Sequence, residues 1–130
     1  MIVLDTHIWY WWASGQHERL TVSTLEALAT APRIGVSAVS CAEVALAWRK
    51  GRMELPLPLR AWFLEALERS RVELLALTPA IASRAVELTD IHRDPFDRII
   101  IATALELDGQ LASIDGHFPA YPELAGRLLA

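Results

Sequence analysis

His92-Arg93-Asp94-Pro95-Phe96-Asp97-Arg98-Ile99-Ile100-Ile101-Ala102-Thr103-Ala104 begins as a helix start and continues as a buried helix. Asp94 is a good capping residue, and Pro95 suits the first helical position, where its missing N–H costs nothing. Asp97 adds negative charge to the first turn, opposite the unpaired backbone N–H groups. The apolar run carries the helix through Leu107, and Gly109 stops it. Leu111 to Ile114 then reads as a short strand, with Asp115-Gly116 turning out of it.

The same alternation extends toward the N-terminus. Ile2-Val3-Leu4 reads as a buried strand ending at Asp5, followed by a short helix over residues 7–13 that Ser14-Gly15 stops. A second helix is expected after Ser23 as N-cap, ending at Pro32, then a strand at Arg33-Ile34-Gly35-Val36. A helix from Ser40 to Lys50 follows, capped by Gly51. Leu55-Pro56-Leu57-Pro58-Leu59 is a connector, because proline fits neither a helix interior nor a central strand. It leads into a helix over 58–70, a strand over 72–77, and a helix from Thr78-Pro79 to Leu88. The tail after Phe118 carries no strand signal. Strands alternating with helices imply an α/β fold, with a mainly parallel sheet covered on both faces.

The 130 residues match one ordinary domain, and no linker or repeat divides them, so residues 1–130 are expected to form a single domain. Hydrophobic types at 53% against 22% charged exclude disorder. Cys41 is the only cysteine, which excludes an internal disulfide and a multi-cysteine metal knuckle. The start lacks the basic region and apolar run of a signal peptide. The longest nearly apolar stretch, 34–48, is too short to span a bilayer and contains Glu43, so a soluble cytoplasmic protein is expected. A net charge of -4 argues against a simple nucleic-acid-binding module. The one tight basic cluster is Arg49, Lys50 and Arg52. Activity on a polyanion must then work despite surplus acid, and a bound divalent cation is one way to do so.

Ligands of parallel α/β sheets bind outside the carboxyl ends of the strands. Asp5 follows the first strand, although it would also serve as an N-cap. Glu43 lies in the helix after the second strand, where Ser40-x-x-Glu43 could be a capping box. Its neighbours Cys41, Ala42, Val44, Ala45 and Leu46 leave it short of water unless something partners it. The helix that starts at Asp94 runs antiparallel to the strands, so Asp97 belongs to the same end as Asp5. Asp115 follows the last strand, where a plain Asp-Gly turn would also explain it. Gathered carboxylates repel one another, and hard divalent cations with oxygen preference compensate, so Mg²⁺ or Mn²⁺ suits the set better than zinc.

Val3-Leu4-Asp5-Thr6-His7, Val36-Ser37-Ala38 with Ala42-Glu43-Val44, and Gly51-Arg52-Met53-Glu54-Leu55-Pro56 join the motif at 92–104 and Leu111-Ala112-Ser113-Ile114-Asp115 in a wider pattern. The whole resembles the PIN-domain family, and within it the VapC-type toxin ribonucleases of bacterial toxin–antitoxin pairs. That resemblance implies a three-layer α/β/α sandwich and Mg²⁺- or Mn²⁺-dependent endoribonuclease activity. It also implies an acidic pocket of Asp5, Glu43, Asp97 and Asp115, both catalytic and metal-binding. Asp94 ranks behind Asp97 as a ligand, because capping suffices to explain it. Thr6 and Ser113 stand where the family often has a small hydroxyl residue. Ile114 stands where a polar residue is frequent. The implied partners are RNA, a cognate antitoxin protein and a second copy of the chain.

Two other readings compete. A catalytically inactive PIN-like interaction domain would need a missing acid, and all four are present. A phosphatase of the haloacid dehalogenase type would need an aspartate where His7 stands, and a receiver domain would need a late lysine, whereas Lys50 is the only one. His7, His17, His92 and His117 do not read as a ligand set, although His7 and His117 fall near the pocket. Ile8-Trp9-Tyr10-Trp11-Trp12 would cover every face of a helix, so part of it is expected to form an exposed interface, with Trp62 and Phe63 adding to it.

Overall fold

Ile2, Val3 and Leu4 alternate between two cores, as side chains on a strand must. Ile2 and Leu4 join Ile8, Trp9, Leu28, Ile34, Val36, Trp62 and Ala112 on one face of the sheet. Val3 joins Ile100, Ile101, Ala104, Leu111 and Phe118 on the other. Burying both faces of a short strand requires helices above and below it, which is the three-layer sandwich expected. The computed structural model describes all residues from Met1 to Ala130.

The strands are β1 (Ile2–Leu4), β2 (Ile34–Ser37), β3 (Val72–Leu75), β4 (Gln110–Ala112) and β5 (Leu128–Leu129). They lie in the order β3-β2-β1-β4-β5, with every pair parallel. β1 is central, registering Leu4 with Val36 on one side and with Ala112 on the other. The order reverses at β1, so the crevice at its carboxyl end, beside Asp5, is where a ligand belongs.

The helices are α1 (Thr6–Ala13), α2 (Val22–Thr30), α3 (Ala38–Arg49), α4 (Leu59–Leu64), α5 (Pro79–Glu87) and α6 (Pro95–Glu106). A π-helical segment, Glu65–Arg69, extends α4. No helix is long and apolar enough to cross a membrane.

Six features depart from the sequence reading. The cap of α2 is Thr21, whose side chain accepts from the Thr24 N–H, and Ser23 lies inside the helix. α3 starts at Ala38 because the Ser37 side chain accepts from the Val39 N–H, so Ser40 and Glu43 form no capping box. β3 ends at Leu75 and β4 at Ala112, each two residues early. The tail supplies a fifth strand, β5, paired to β4. Trp62, expected on the exposed patch, is a core residue, 1% exposed and packed on the fully buried Trp9 with ring centroids 5.0 Å apart. Only Tyr10, Trp11, Trp12 and Phe63 of the aromatic set reach the surface, and each is partly buried.

Candidate active site

Asp5 leaves β1 in extended conformation and caps α1, its Oδ1 accepting from the Thr6 N–H at 2.8 Å. Its backbone N–H donates to the Ala112 carbonyl, which ties it to the end of β4. Oδ2 accepts from Ser113 Oγ at 2.7 Å, and that hydroxyl also accepts from the Asp115 N–H at 3.0 Å. One serine thus spaces two carboxylates from neighbouring strand ends. Thr6 Oγ1 donates to Glu43 Oε1 at 2.7 Å and lies 2.9 Å from Ser40 Oγ. With α3 starting at Ala38, Glu43 sits in its second turn, facing α1. The two hydroxyl residues expected beside the pocket both hold its acids directly.

Asp94 caps α6, its Oδ1 accepting from the Phe96 N–H at 2.9 Å. Asp97 lies in the first turn and is 14% exposed at its side chain. Burial pushes its carboxyl up to about 8, and repulsion from Asp94, Asp5, Glu43 and Asp115 adds to the rise. Glu43 is pushed up to about 7 by burial, against the Thr6 hydrogen bond and with Asp5 and Asp94 adding repulsion. Burial also raises Asp5, while its bonds from Ser113 and Thr6 oppose the rise. The structure therefore gathers all four expected acids, with Asp94 as a fifth. None of them forms an ion pair with a lysine or arginine. Such a set keeps part of its protons at neutral pH unless a cation replaces them.

The histidines give a result that the sequence hid. His92 Nε2 lies 3.1 Å from Asp97 Oδ2, and His117 Nδ1 lies 3.1 Å from Asp115 Oδ1. The two rings stack on each other, 4.3 Å between centroids and 11° between planes. One ligand atom each from His92, Asp94 and Asp97 falls within a 4.8 Å span, close enough to surround one cation. The spacing from His92 to Asp97 was available in the sequence. The pairing depends on the fold of residues 88–94, which no local pattern reports.

Arg98, the last residue of the motif before its apolar run, builds that segment. Its guanidinium donates to the carbonyls of Ala85, Leu88, Thr89 and His92, and to the Tyr121 hydroxyl. Removing the guanidinium strands several partly buried carbonyls, each costing about 1–3 kcal/mol. Arg98→Met is expected to lower stability by about 3 kcal/mol or more, read by denaturant melting. Hydrogen exchange should rise most over 88–94. An unchanged midpoint would show that the segment holds without it.

The PIN domain family profile matches residues 2–124. Ribonuclease VapC22 of Mycobacterium tuberculosis (strain ATCC 25618 / H37Rv) is 34% identical over 115 residues, covering 88% of this chain and 86% of that protein. VapBC2 from Rickettsia felis, solved bound to a DNA fragment from its promoter, superposes with a TM-score of 0.71 at 20% identity, covering 99% of this chain and 98% of that one. A toxin–antitoxin complex from Klebsiella pneumoniae superposes at 0.64 and 17% identity, covering 100% and 97%. At these identities the two superpositions show a shared fold.

Proposed function

Because the chain belongs to the PIN-domain family, we propose that it is a metal-dependent endoribonuclease and the toxin of a toxin–antitoxin pair, its residues 1–130 forming one nuclease domain that acts in the cytoplasm. The observation that carries the proposal is the convergence of Asp5, Glu43, Asp97 and Asp115 at the sheet's switch point, without a basic partner from lysine or arginine. The oxygen-rich donor set fits Mg²⁺ or Mn²⁺. Asp5 and Asp97 are the principal ligands. Glu43 and Asp115 complete the site directly or through water, and Asp94 stands second to Asp97.

When bound, the cation lowers the pKa of a coordinated water and balances charge on the phosphate. The chain's own residues do the positioning. Ser113 and the Thr6 N–H hold the two oxygens of Asp5, and the Thr6 hydroxyl holds Glu43. His92 occupies Oδ2 of Asp97 and leaves Oδ1 available. Hydrolysis by water needs no serine, cysteine or histidine nucleophile, and none is placed as one.

Apolar surface supports the partners. Leu46 and Trp48 on α3 and Leu64 on α4 are exposed and suit the amphipathic segment of an antitoxin. Val86 on α5, 80% exposed, shares a largely apolar cleft with Ala82, Ala85, Pro95 and Ile99, a face that suits a second copy of the chain.

Asp5→Asn keeps the shape of the side chain and removes one anionic ligand, so the folded variant should lose RNA cleavage. Asp94→Asn should lose much less, since asparagine still caps a helix. Cleavage rates of the two purified variants in Mg²⁺ and Mn²⁺ decide the matter. Full activity in Asp5→Asn would overturn the site, and a greater loss in Asp94→Asn than in Asp97→Asn would reverse the ranking of those two.

A further inference from the structure

The acidic pocket opens into a second cleft. Asp5, His7, Trp11, Ile114 and Asp115 line a concavity of about 300 Å³. His7 and Trp11 also line an adjoining one of about 490 Å³, whose far side carries Gln16, Arg19, Arg52 and Glu54. The Arg19 guanidinium lies over the Trp11 ring, 5.7 Å from its centroid, and the His7 ring is also 5.7 Å away, tilted at 55°. Arg52 additionally borders the opposite approach to the acids, which it shares with Glu43, Lys50 and Asp94. The floor is fixed, because the Tyr10 hydroxyl donates to the Glu54 carbonyl and Met53 is buried.

Arg19 and Arg52 are exposed, and neither is spent on an ion pair within the molecule. Arg49, Arg60 and Arg71 are exposed and unpaired as well, but Arg19 and Arg52 share one cleft with Trp11, and that cleft leads to the acids. Unpaired nucleotides are bound by two kinds of group together, an aromatic face for the base and cations for the backbone. Both kinds occur here, within one cleft that leads to the acids. The floor of Tyr10, Trp11 and Met53 would also suit a protein partner, and what favours the nucleotide is the continuity of the cleft with the acids.

We propose that the cleft of Trp11, Arg19 and Arg52 is a subsite for one unpaired nucleotide next to the cleaved bond. The base stacks on the ledge formed by Trp11 and Arg19. Arg52 takes the adjoining phosphate, and its position between the two approaches lets it hold the strand as it crosses the acids. Glu54 partly offsets the positive charge and, with Gln16, presents hydrogen-bonding groups to the base edge. The inference rests on the proposed action on RNA, and it assigns Trp11 of the aromatic run and Arg52 of the basic cluster to substrate binding.

Binding is measured apart from cleavage, by fluorescence anisotropy of a 5′-fluorescein-labelled ten-nucleotide single-stranded RNA of mixed sequence, with EDTA present and Asp97→Asn as the parent chain. Adding Trp11→Ala should weaken binding about tenfold, within the range for losing one stacked base. Adding Arg52→Gln should weaken it and reduce the slope of log affinity against log salt by about 0.7, the value for one phosphate contact on a single strand. Arg19→Gln, at an exposed position without an ion pair, tests the ledge if Trp11→Ala fails to fold. Parental affinity and salt slope in all three would overturn the subsite. So would RNA binding that is unchanged while affinity for a co-purified antitoxin falls, which would assign the cleft to the protein partner. If the otherwise unaltered chain cleaves RNA and Trp11→Ala and Arg52→Gln keep its KM, the subsite is wrong and the nuclease reading stands. If that chain neither cleaves nor binds the RNA, both fail.

Discussion

Asp97→Asn should reduce RNA cleavage by more than about 100-fold, the upper end for losing even an outer partner of a metal site. The same change should stabilise the metal-free protein. Asp97 is pushed up to about 8 in the folded chain by burial and then by its acidic neighbours, against 3.8 as the ordinary value. For a carboxyl raised on folding, the contribution to stability is complete below its unfolded pKa and is lost as pH rises through the folded one. Asparagine carries no such dependence. The melting temperature of Asp97→Asn in EDTA should therefore exceed that of the unaltered chain by a margin that grows between pH 6 and pH 8.5. A tenfold change in proton affinity on folding corresponds to about 1.4 kcal/mol, so the margin should reach several degrees. An inactive variant that melts lower at every pH would mean that Asp97 is structural. Retained activity would mean that it is not a ligand.

Trp9→Ala should be the most destabilising single change in α1. Trp9 is fully buried, packs on Trp62, and donates its Nε1–H to the Ala66 carbonyl at 3.0 Å. Truncating a buried tryptophan costs about 3–5 kcal/mol, and the stranded carbonyl adds about 1–3 kcal/mol. That is a large share of the whole stability of a domain of this size. We expect a fall in melting temperature of roughly 10 °C or more, or no folded protein. Trp12→Ala should change melting by far less, because Trp12 is partly exposed and stacks on the surface residue His17. Equal effects of the two changes would contradict the division of this run into core and surface.

That division shows what the sequence can carry. Five consecutive large apolar residues announce that some must be surplus, but not which, because Trp9 is selected by Trp62 and Ala66, which lie far along the chain. α6 was legible because its start is local chemistry: Asp94 caps, Pro95 follows, and Asp97 sits in the first turn. Ser40-x-x-Glu43 satisfied the same kind of rule and misled, because Ser37 caps the chain first and the helix is already formed at Ser40. β5 was invisible because two residues, Leu128 and Leu129, carry no periodicity, and only pairing with β4 makes them a strand. The four acids were legible from their places after strands and at a helix start. The hydroxyls were legible only as part of a family resemblance. The imidazole of His92, which completes the setting of Asp97, was not, since its segment is shaped by Arg98 through irregular loop contacts and by Tyr121 from far along the chain.

The gathered carboxylates are proposed to work by holding a divalent cation. Cleavage of a defined single-stranded RNA by the purified chain, stripped with EDTA and then titrated with Mn²⁺, tests it most directly. Cleavage should be absent in EDTA, should recover to saturation with added Mn²⁺, and should not recover at any concentration in Asp5→Asn. Cleavage that persists undiminished in EDTA, and is lost in neither Asp5→Asn nor Asp97→Asn, would contradict it.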